Sequence, residues 1–548
     1  MRSLWLLLPV AAGALLRLWN LRAQVLGDDE LHLIRTALTQ PVGEILSTYQ
    51  KVDATIPLSV LYRVLVESGV RLTETGVRLP AILSGLLLLV LAPLWADRRL
   101  GRGTAIAFAW LLALSPGLVF YSRIARSYMP VVLLAFGAVV AFESWWRNGG
   151  WKRGAAYAVL AALAFWFHPV AAPLVLSPLV FGLLSVRDRG RGGRALALAG
   201  LAAATGAAFL AVLLPALGSF QEVIRAKHQE VELTPEVWTA VAQLQAGTAF
   251  PLLAALFWIG AAFGLLRLLE EERPLCAFTG FLVAGQLAGL LWISPLGLNA
   301  PLIFHRYALV ILPWVLLWVA VALGRPWWRS GWRDWDPRQQ AGAAALLVLV
   351  LAAAGPLADP KLRRSSFPHH DDHLAFYVPR PKVSLPPAYQ SLGPGAVLEA
   401  PWIPVWRVSR AVYLYQETHG REVVVASPEP LLADPRLAFR NLVPATPEGF
   451  LASRARWLVV HRDLAAEEDA IPDPLWPPRM GVGRRFREIF QSQGRALPRQ
   501  LRRAWGRPDF GDETVVIWDL DRMRNPDPGG SGRDQAQSDH AQTPPGRD

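Results

Sequence analysis

The chain has 548 residues, of which 53% are hydrophobic and 18% are charged, and its net charge is +12. A soluble protein would carry about 25% charged residues, so the composition argues against a soluble globular protein. Lys and Arg cluster in short loops between apolar runs and form no basic stripe with interleaved aromatic residues, which argues against a nucleic-acid partner. The single cysteine, Cys276, excludes an intrachain disulfide and a cysteine-based metal cluster.

Apolar runs of near 20 residues recur through the first two thirds of the chain, and each is long enough to cross a hydrocarbon core of about 30 Å. We therefore predict a polytopic α-helical membrane protein with about eleven transmembrane helices. No clear cleavage site follows the first apolar run, so we expect a retained first helix and no signal peptide. The predicted spans are 4–20, 78–96, 104–121, 128–146, 154–167, 169–186, 195–217, 249–268, 274–293, 306–324 and 340–357.

The short loops between these spans differ in charge from one side of the membrane to the other. Five alternate loops are rich in Arg, whereas the opposite loops are poor in Lys and Arg except for Arg123, Arg126 and Arg306. The positive-inside rule therefore predicts a cytoplasmic amino terminus and, with an odd number of spans, an extracytoplasmic carboxyl-terminal region. The Arg-rich loops are 97–102, 147–153, 187–194, 267–273 and 325–338.

The chain is predicted to contain a membrane domain over 1–358 and a second domain over 359–521. The first outer loop, 21–77, contains two amphipathic stretches that are typical of helices lying on the membrane surface. Beyond 359, short β-type runs alternate with helical patterns, which predicts a small extracytoplasmic α/β domain. Residues 522–548 lack apolar periodicity and are predicted to be a disordered tail. The amphipathic stretches are 31–38 and 57–66, the strands are 396–399, 422–425, 457–460 and 514–518, and the helices are 408–418 and 485–493.

Asp28, Asp29 and Glu30 open the first outer loop directly after the first span. Adjacent carboxylates beside an apolar helix are costly unless they are hydrated, paired or bound to a metal. They are candidates for a general base that activates an acceptor hydroxyl, and Asp29 and Glu30 are also candidates for holding a divalent cation (Mg, Mn or Zn). The alternative is a helix start at which the carboxylates are favoured by the helix dipole.

Arg123 and Arg126 lie in a short outer connection, against the charge rule, and Arg306 begins the tenth span from the same side. The planar fork of Arg suits phosphate, so these residues are candidates for binding a lipid phosphate. For Arg123 and Arg126 the alternative is snorkelling to headgroups. His168 lies at a span junction and is either a phosphate contact, a proton carrier or a satisfied interfacial histidine.

Two other features of the sequence do not indicate a functional site. The cluster His369-His370-Asp371-Asp372-His373 is interpreted as a polar linker, because adjacent residues rarely face one ion. The sequence has no P-loop and no dinucleotide fingerprint, which argues against a nucleotide-driven pump.

An ordered set of short motifs resembles one enzyme family. Asp29-Glu30 is followed by Ile56-Pro57-Leu58, Arg78-Leu79-Pro80, the segment 114–126 and Arg306-Tyr307, and the second domain carries a further motif at 413–421. This set resembles the bacterial GT-C glycosyltransferases that are related to protein O-mannosyltransferases and to the aminoarabinose transferase of lipid A. The resemblance covers roughly residues 1–325. Many relatives carry an acidic residue where this chain has Ser127-Tyr128-Met129, and many have Lys near the position of His168.

The resemblance implies an enzyme of the bacterial inner membrane that transfers a hexosyl or pentosyl group from a polyprenyl-phosphate donor. The acceptor would be a protein, lipid or glycan on the extracytoplasmic side. It implies a base or metal ligand at Asp29 and Glu30, and phosphate-binding roles for Arg123, Arg126 and the pair Arg306-Tyr307.

Two other classes of function remain open from the sequence. A transporter or flippase for a lipid or small anion would also place carboxylates and arginines along a membrane path. Such proteins often contain internal repeats with broken helices at matching positions, and the sequence shows no such symmetry. A non-catalytic scaffold of the cell envelope is the third class, and it would tolerate the loss of Asp29 together with both outer arginines.

Overall fold

A computed structural model describes residues 4–49, 55–187, 192–324, 382–404, 410–471 and 483–525, with isolated residues 353, 357 and 365. The chain divides into two units near residue 381. Several predictions lie outside the described residues: the boundary at 358/359, the 369–373 cluster and the tail from 526 onward. The predicted eleventh span, 340–357, lies outside them except for residues 353 and 357. The first residues of the predicted tail are helical, in a short helix over Leu520–Arg524.

The secondary-structure elements described in the first unit are all helices. Its α-helices are α1 (Leu7–Leu18), α2 (Asp28–Thr39), α3 (Val42–Ser47), α4 (Ile56–Glu67), α5 (Glu74–Leu100), α6 (Arg102–Leu114), α7 (Pro116–Tyr121), α8 (Tyr128–Asn148), α9 (Trp151–Phe167), α10 (Ala172–Arg187), α11 (Gly192–Leu213), α12 (Leu217–Lys227), α13 (Pro235–Ala246), α14 (Pro251–Glu271), α15 (Arg273–Ile293), α16 (Pro301–Ala308) and α17 (Leu312–Gly324). Short 3₁₀ turns join several of them, including Pro169–Ala171 between α9 and α10 and Leu309–Ile311 between α16 and α17.

Eight helical segments among the described residues are long and apolar enough to cross a membrane. This confirms the predicted class of polytopic helical membrane protein. Two further predicted spans correspond to the shorter helices α6 and α9, of 13 and 17 residues. The two amphipathic stretches of the first outer loop are helical, as α2 and α4.

The outer faces of the long helices expose large apolar side chains at helical spacing. On α14, Leu252, Leu256, Ile259, Phe263 and Leu266 recur every three or four residues and are each more than 40% exposed. A stripe of this kind suits lipid and would be unfavourable in water. By contrast, 83% of the most apolar stretch of the segment Pro301–Gly324 is buried inside the protein. That segment is therefore the centre of the helical unit.

Small residues allow close helix contacts in this unit. A Cβ atom added to Gly264 of α14 would lie 1.7 Å from the carbonyl oxygen of Trp318 in α17. Without a hydrophobic driving force between helices in lipid, such close backbone packing is a main source of association.

The predicted span 104–121 is not one helix, because the chain breaks at Ser115 between α6 and α7. Pro116 has no N–H, so the carbonyl of Leu112 lacks the usual donor four residues later. The buried guanidinium of Arg17 in α1 donates to that carbonyl at 3.2 Å and to the carbonyl of Ala113 at 3.4 Å. Arg17 thus satisfies the orphan carbonyls of the break inside the membrane unit.

The second unit contains a six-stranded sheet in the order β3-β2-β1-β4-β6-β5. Strands β1 to β4 pair in parallel, with Val397 of β1 opposite both Val423 of β2 and Trp457 of β4, whereas β6 pairs antiparallel with β4 and β5. The strands are β1 (Val397–Ala400), β2 (Val423–Ser427), β3 (Leu442–Pro444), β4 (Trp457–His461), β5 (Phe510–Gly511) and β6 (Val515–Asp519), and the helices are α18 (Arg410–His419), α19 (Pro447–Ala452), α20 (Leu464–Asp469), α21 (Arg484–Trp505) and α22 (Leu520–Arg524).

The central strands are buried along their whole length, as parallel strands covered on both faces are. Leu497 and Leu501 of α21 pack in the same core as Leu398, Leu458 and Trp518 of the sheet. The small α/β fold predicted for the second domain is therefore confirmed.

Candidate active site

Helix α2 begins at Asp28, and its second residue, Asp29, carries a 40% exposed side chain. The carboxylate of Asp29 accepts a hydrogen bond from Arg306 of α16, with Oδ2 and Nη1 separated by 2.9 Å. The two residues are 277 positions apart in the chain. The structure therefore brings the first outer loop and the start of the tenth predicted span into one site.

Arg126 lies on the other side of the same carboxylate. Its Nη2 is 3.9 Å from Oδ1 of Asp29, and its Nη1 donates to the backbone oxygen of Asp29 at 3.0 Å. Desolvation would raise the pKa of Asp29, but the positive charges of Arg126 and Arg306 outweigh it and lower the pKa to about 2. Asp29 is thus an ionised carboxylate held between two guanidinium groups.

Glu30, the next residue, has a different environment. Its side chain is 0% exposed and forms an ion pair with Arg78 at the start of α5, at 2.8 Å and 2.9 Å. It also accepts from the backbone N–H of Gly27 and of Ala125, at 2.9 Å and 2.8 Å. Both carboxylate oxygens therefore have protein partners, and Glu30 ties α2 to the segment that carries Arg126.

Arg78 completes this attachment. Its guanidinium donates to the carbonyl oxygens of Gln24 and Val25, at 3.3 Å and 2.9 Å, in the segment before α2. A charged residue near the start of a membrane span is typically an interfacial anchor. The structure instead places the Arg78 side chain at 0% exposure, where it holds the backbone that leads to Asp29.

The guanidinium group of Arg123 donates its hydrogen bonds to the end of the first helix. It donates to the carbonyl oxygens of Leu16 and Trp19 at the end of α1, at 3.0 Å and 2.6 Å, and is 7% exposed. Of the two arginines in the outer connection, only Arg126 contacts Asp29 in this arrangement. The predicted phosphate-binding role of Arg123 stays a prediction.

A group of aromatic rings lies on one side of Arg306. The guanidinium carbon of Arg306 lies 5.4 Å from the centre of the Tyr128 ring, and the ring of His168 lies 5.8 Å from Tyr128 and 6.0 Å from Tyr307. His168 accepts a hydrogen bond from the backbone N–H of Val170 through Nδ1, so its Nε2 carries the proton when the ring is neutral. Tyr128 therefore links Arg306 to His168 and Tyr307, and the predicted phosphate-binding roles of these residues stay predictions.

Gln286, in the apolar helix α15, supports this group. Its amide donates to the carbonyl of Val170 at 2.9 Å and to that of Tyr307 at 3.4 Å, and its oxygen accepts from the N–H of Leu174 at 2.9 Å. It thus joins the segments that carry His168 and Tyr307. A single amide in an otherwise apolar span was the signal in the sequence for such a role.

The carboxylates as arranged do not fit the divalent cation that the resemblance implies. Asp29 is paired with Arg306 and Arg126, and both oxygens of Glu30 are bonded to Arg78. Within the described ranges, no three or more His, Cys, Asp or Glu residues form a group that could hold a metal. The role of Asp28 stays a prediction.

The site can therefore do two things chemically. A half-exposed carboxylate can accept a proton from a hydroxyl group, and two guanidinium groups beside it can bind the charge of a phosphate. The sequence pointed to Asp29, Arg126 and Arg306, but it missed Tyr128, whose ring lies under Arg306. The position of Tyr128, two residues after Arg126, was its only signal.

No family model matches the sequence, and no curated protein matches it either. Among solved structures, the chain is similar to ArnT from Cupriavidus metallidurans in the apo state, with 14% identity and a TM-score of 0.46, covering 84% of this chain and 93% of that chain. It is also similar to the same protein bound to undecaprenyl phosphate, with 15% identity and a TM-score of 0.44, covering 82% and 95%. This likeness is loose and assigns no residue roles or substrate to this chain.

Proposed function

We propose that this protein is a membrane glycosyltransferase that moves a sugar from a polyprenyl-phosphate donor to an extracytoplasmic acceptor. The observation that carries the proposal is the half-exposed Asp29 carboxylate between Arg126 and Arg306. A transferase of this kind needs a base for the acceptor hydroxyl and cations for the departing phosphate, within reach of each other.

The proposed reaction is a single displacement at the anomeric carbon. The acceptor oxygen forms a bond to that carbon while the bond from the carbon to the phosphate oxygen breaks. The proton of the acceptor hydroxyl passes to Asp29, and the lipid phosphate leaves with the bonding electron pair. Arg126 and Arg306 stabilise the growing charge on the phosphate. The lipid phosphate supplies the driving force, so no nucleotide is required.

The ion pairs of Asp29 imply that the donor binds before Asp29 accepts the proton. With both arginines beside it, the pKa of Asp29 is about 2, which makes the carboxylate a weak base. A donor phosphate that binds Arg126 and Arg306 would neutralise much of their charge. The pKa of Asp29 would then rise towards its ordinary value. Asp29 therefore becomes an effective base only when the donor is bound.

Glu30 and Arg123 act by positioning in this proposal. Glu30 with Arg78 fixes the start of α2 against the segment that carries Arg126. Arg123 fixes the same segment to the end of α1. Tyr128 holds the Arg306 guanidinium against its ring, and His168 packs against both Tyr128 and Tyr307.

A donor panel tests the proposal directly. The purified full-length protein is incubated with several polyprenyl-phosphate sugars and a set of acceptors, and free polyprenyl phosphate is measured by mass spectrometry. We expect release with at least one donor, and release that depends on Asp29. In parallel, a liposome assay measures lipid translocation. Translocation with no sugar release from any donor would overturn the proposal in favour of a flippase.

A further inference from the structure

A charged cavity lies at the other end of the long helices from the candidate active site. Arg78, at the candidate active site, and Arg99 lie on the same helix α5, and Tyr128 and Arg147 lie on α8. At 1.5 Å per residue, each stretch spans roughly 30 Å, which is about the thickness of the hydrocarbon core. The cavity that Arg99 and Arg147 line has a volume of about 600 Å³, within the usual range for ligand pockets.

The floor of this cavity is an ion-pair network with balanced charge. Arg99 donates to both oxygens of Glu272, at 2.7 Å and 2.9 Å, and to Glu143 at 3.1 Å. Arg147 forms a further ion pair with Glu143 at 3.3 Å. Two carboxylates thus neutralise two guanidinium groups, and Arg99 and Glu143 are each only 12% exposed. The network holds the floor rigid and adds no net charge.

Two more arginines line the cavity and leave it with surplus positive charge. Arg194 of α11 contacts the ring of Trp146, with its guanidinium carbon 6.0 Å from the ring centre, and Arg273 begins α15. Among the residues that the structure describes, neither has a carboxylate within ion-pair distance. The lining therefore carries two positive charges that no described carboxylate balances, and these charges favour an anionic ligand.

The surroundings of the cavity favour a lipid over a soluble anion. Phe142, Phe181 and Phe278 form part of its wall. Leu183 of α10 and Leu196 of α11 are 67% and 77% exposed, so the two helices that supply Ser185 and Arg194 to the lining also have a lipid-facing surface. A ligand with a phosphate group and acyl chains could place its phosphate on the arginines and its chains against the phenylalanine rings. Basic pockets between helices at the cytoplasmic surface are typical sites for anionic phospholipids.

We propose that this cavity is a binding site for the phosphodiester headgroup of an anionic phospholipid of the cytoplasmic leaflet. Arg194 and Arg273 bind the phosphate, while Arg99, Glu143 and Glu272 shape the floor. The site is separate from Asp29 and does not depend on the proposed transfer reaction. The positive-inside rule explains why Arg residues occur at this membrane surface, but it does not require them to converge on one aromatic-walled cavity.

Native mass spectrometry of the delipidated full-length protein tests this site. Phosphatidylglycerol is added to one sample and phosphatidylcholine to another, and the retained lipid is counted for each variant. The test variant is Arg194→Gln with Arg273→Gln. The matched control is Lys152→Gln with Arg153→Gln, which removes two exposed positive charges at the start of α9. Size-exclusion profiles and helical content confirm that each variant is folded.

We expect the wild type to retain phosphatidylglycerol in preference to phosphatidylcholine. Each arginine near the membrane surface is worth roughly a fivefold change in affinity, so the test variant should lose about 25-fold and the control much less. Equal losses in test and control, or no preference for the anionic lipid, would overturn the proposal. Full competition by inorganic phosphate or glycerol phosphate would also overturn it, because the site would then bind soluble anions. If the double variant does not fold, Arg194→Gln alone gives the same comparison.

Discussion

The two units of this protein each contain a cluster of carboxylates and cations, and the clusters differ in access. In the helical unit, Asp29 lies between Arg126 and Arg306 and is 40% exposed. In the α/β unit, His461 lies between Glu399 and Glu467, at 2.9 Å from each, and is 0% exposed. Both clusters shift a pKa, but only the first can meet a substrate. Charge clustering alone therefore does not identify an active site.

The buried cluster is fully satisfied within the fold. Tyr389 donates to Glu399 at 2.9 Å, Tyr415 donates to Glu467 at 2.8 Å, and the Tyr415 ring stacks on His461. Burial would lower the pKa of His461, but Glu467 and Glu399 outweigh it and raise the pKa to about 10. The cluster joins the ends of β1 and β4 to α20 and is suited to holding the sheet together.

The largest effect should come from Asp29→Asn, which removes the exposed base. A general base typically contributes about 10²–10⁴-fold to rate, so we expect single-turnover transfer to fall by that factor. The protein should still insert and fold, because the amide can keep a hydrogen bond to Arg306. Glu44→Gln, at an exposed carboxylate of the same outer loop, is the control. Equal rates for Asp29→Asn and this control would remove Asp29 from the mechanism.

The next effect should be on stability, through the buried pair of Glu30 and Arg78. Arg78→Met leaves the Glu30 carboxylate buried without its cation, and breaking a buried ion pair costs about 3–5 kcal/mol. The double variant Glu30→Met with Arg78→Met should recover part of that loss, because no buried charge remains. Thermal and denaturant unfolding in detergent measure both. An unchanged unfolding midpoint for Arg78→Met would show that the pair does not hold α2 in place.

Arg306→Gln should lower transfer by about 10²–10³-fold, the usual result of losing one group that stabilises transition-state charge. It should also raise the pKa of Asp29, because one of the two charges that lower this pKa is lost. The acid limb of kcat/KM against pH should therefore move to higher pH than in the wild type. Arg225→Gln, an exposed arginine of α12, is the control. A limb at the same pH in Arg306→Gln and the wild type would contradict the arrangement around Asp29.

The smallest effect should be a change in the pH dependence of stability in the α/β unit. The pKa of His461 is about 10 in the folded protein, above its ordinary 6.5. The stability from its charged form is therefore fully present below about pH 6.5 and is lost as the pH rises through 10. We expect the thermal unfolding temperature to fall over this interval, and to fall less in His461→Gln. Parallel curves for the two proteins would show that His461 is not the titrating group.

The sequence predicted most of the helices and strands that a local pattern of residue types specifies. Apolar length predicted the long helices of the membrane unit, and β-type runs predicted β1, β2, β4 and β6 of the second unit. The two shortest strands, β3 and β5, were missed, and the orientation inferred from loop charge stays a prediction. The break at Ser115 was missed, although Pro116 was its signal, because the apolar run continues through it. Arg17 was missed as its partner, since nothing in the local sequence shows which carbonyls a buried arginine will reach.

The sequence indicated which residues form the candidate site, but it did not indicate what each of them contacts. Asp29 and Glu30 are adjacent and chemically alike, yet successive residues on a helix face different directions. One therefore contacts Arg306 and remains half-exposed, whereas the other is enclosed by Arg78 and two backbone N–H groups. The two nearby arginines differ in the same way, because Arg123 donates to the end of α1 whereas Arg126 donates to Asp29. These differences depend on long-range packing, which a pattern of residue types does not specify.

A structure of the full-length protein with polyprenyl phosphate bound tests the central claim most directly. The account predicts a phosphate oxygen within hydrogen-bonding distance of Arg306 or Arg126, and an Asp29 carboxylate separated from Arg306 by more than its present 2.9 Å. A phosphate bound elsewhere, with the ion pair between Asp29 and Arg306 intact, would contradict it.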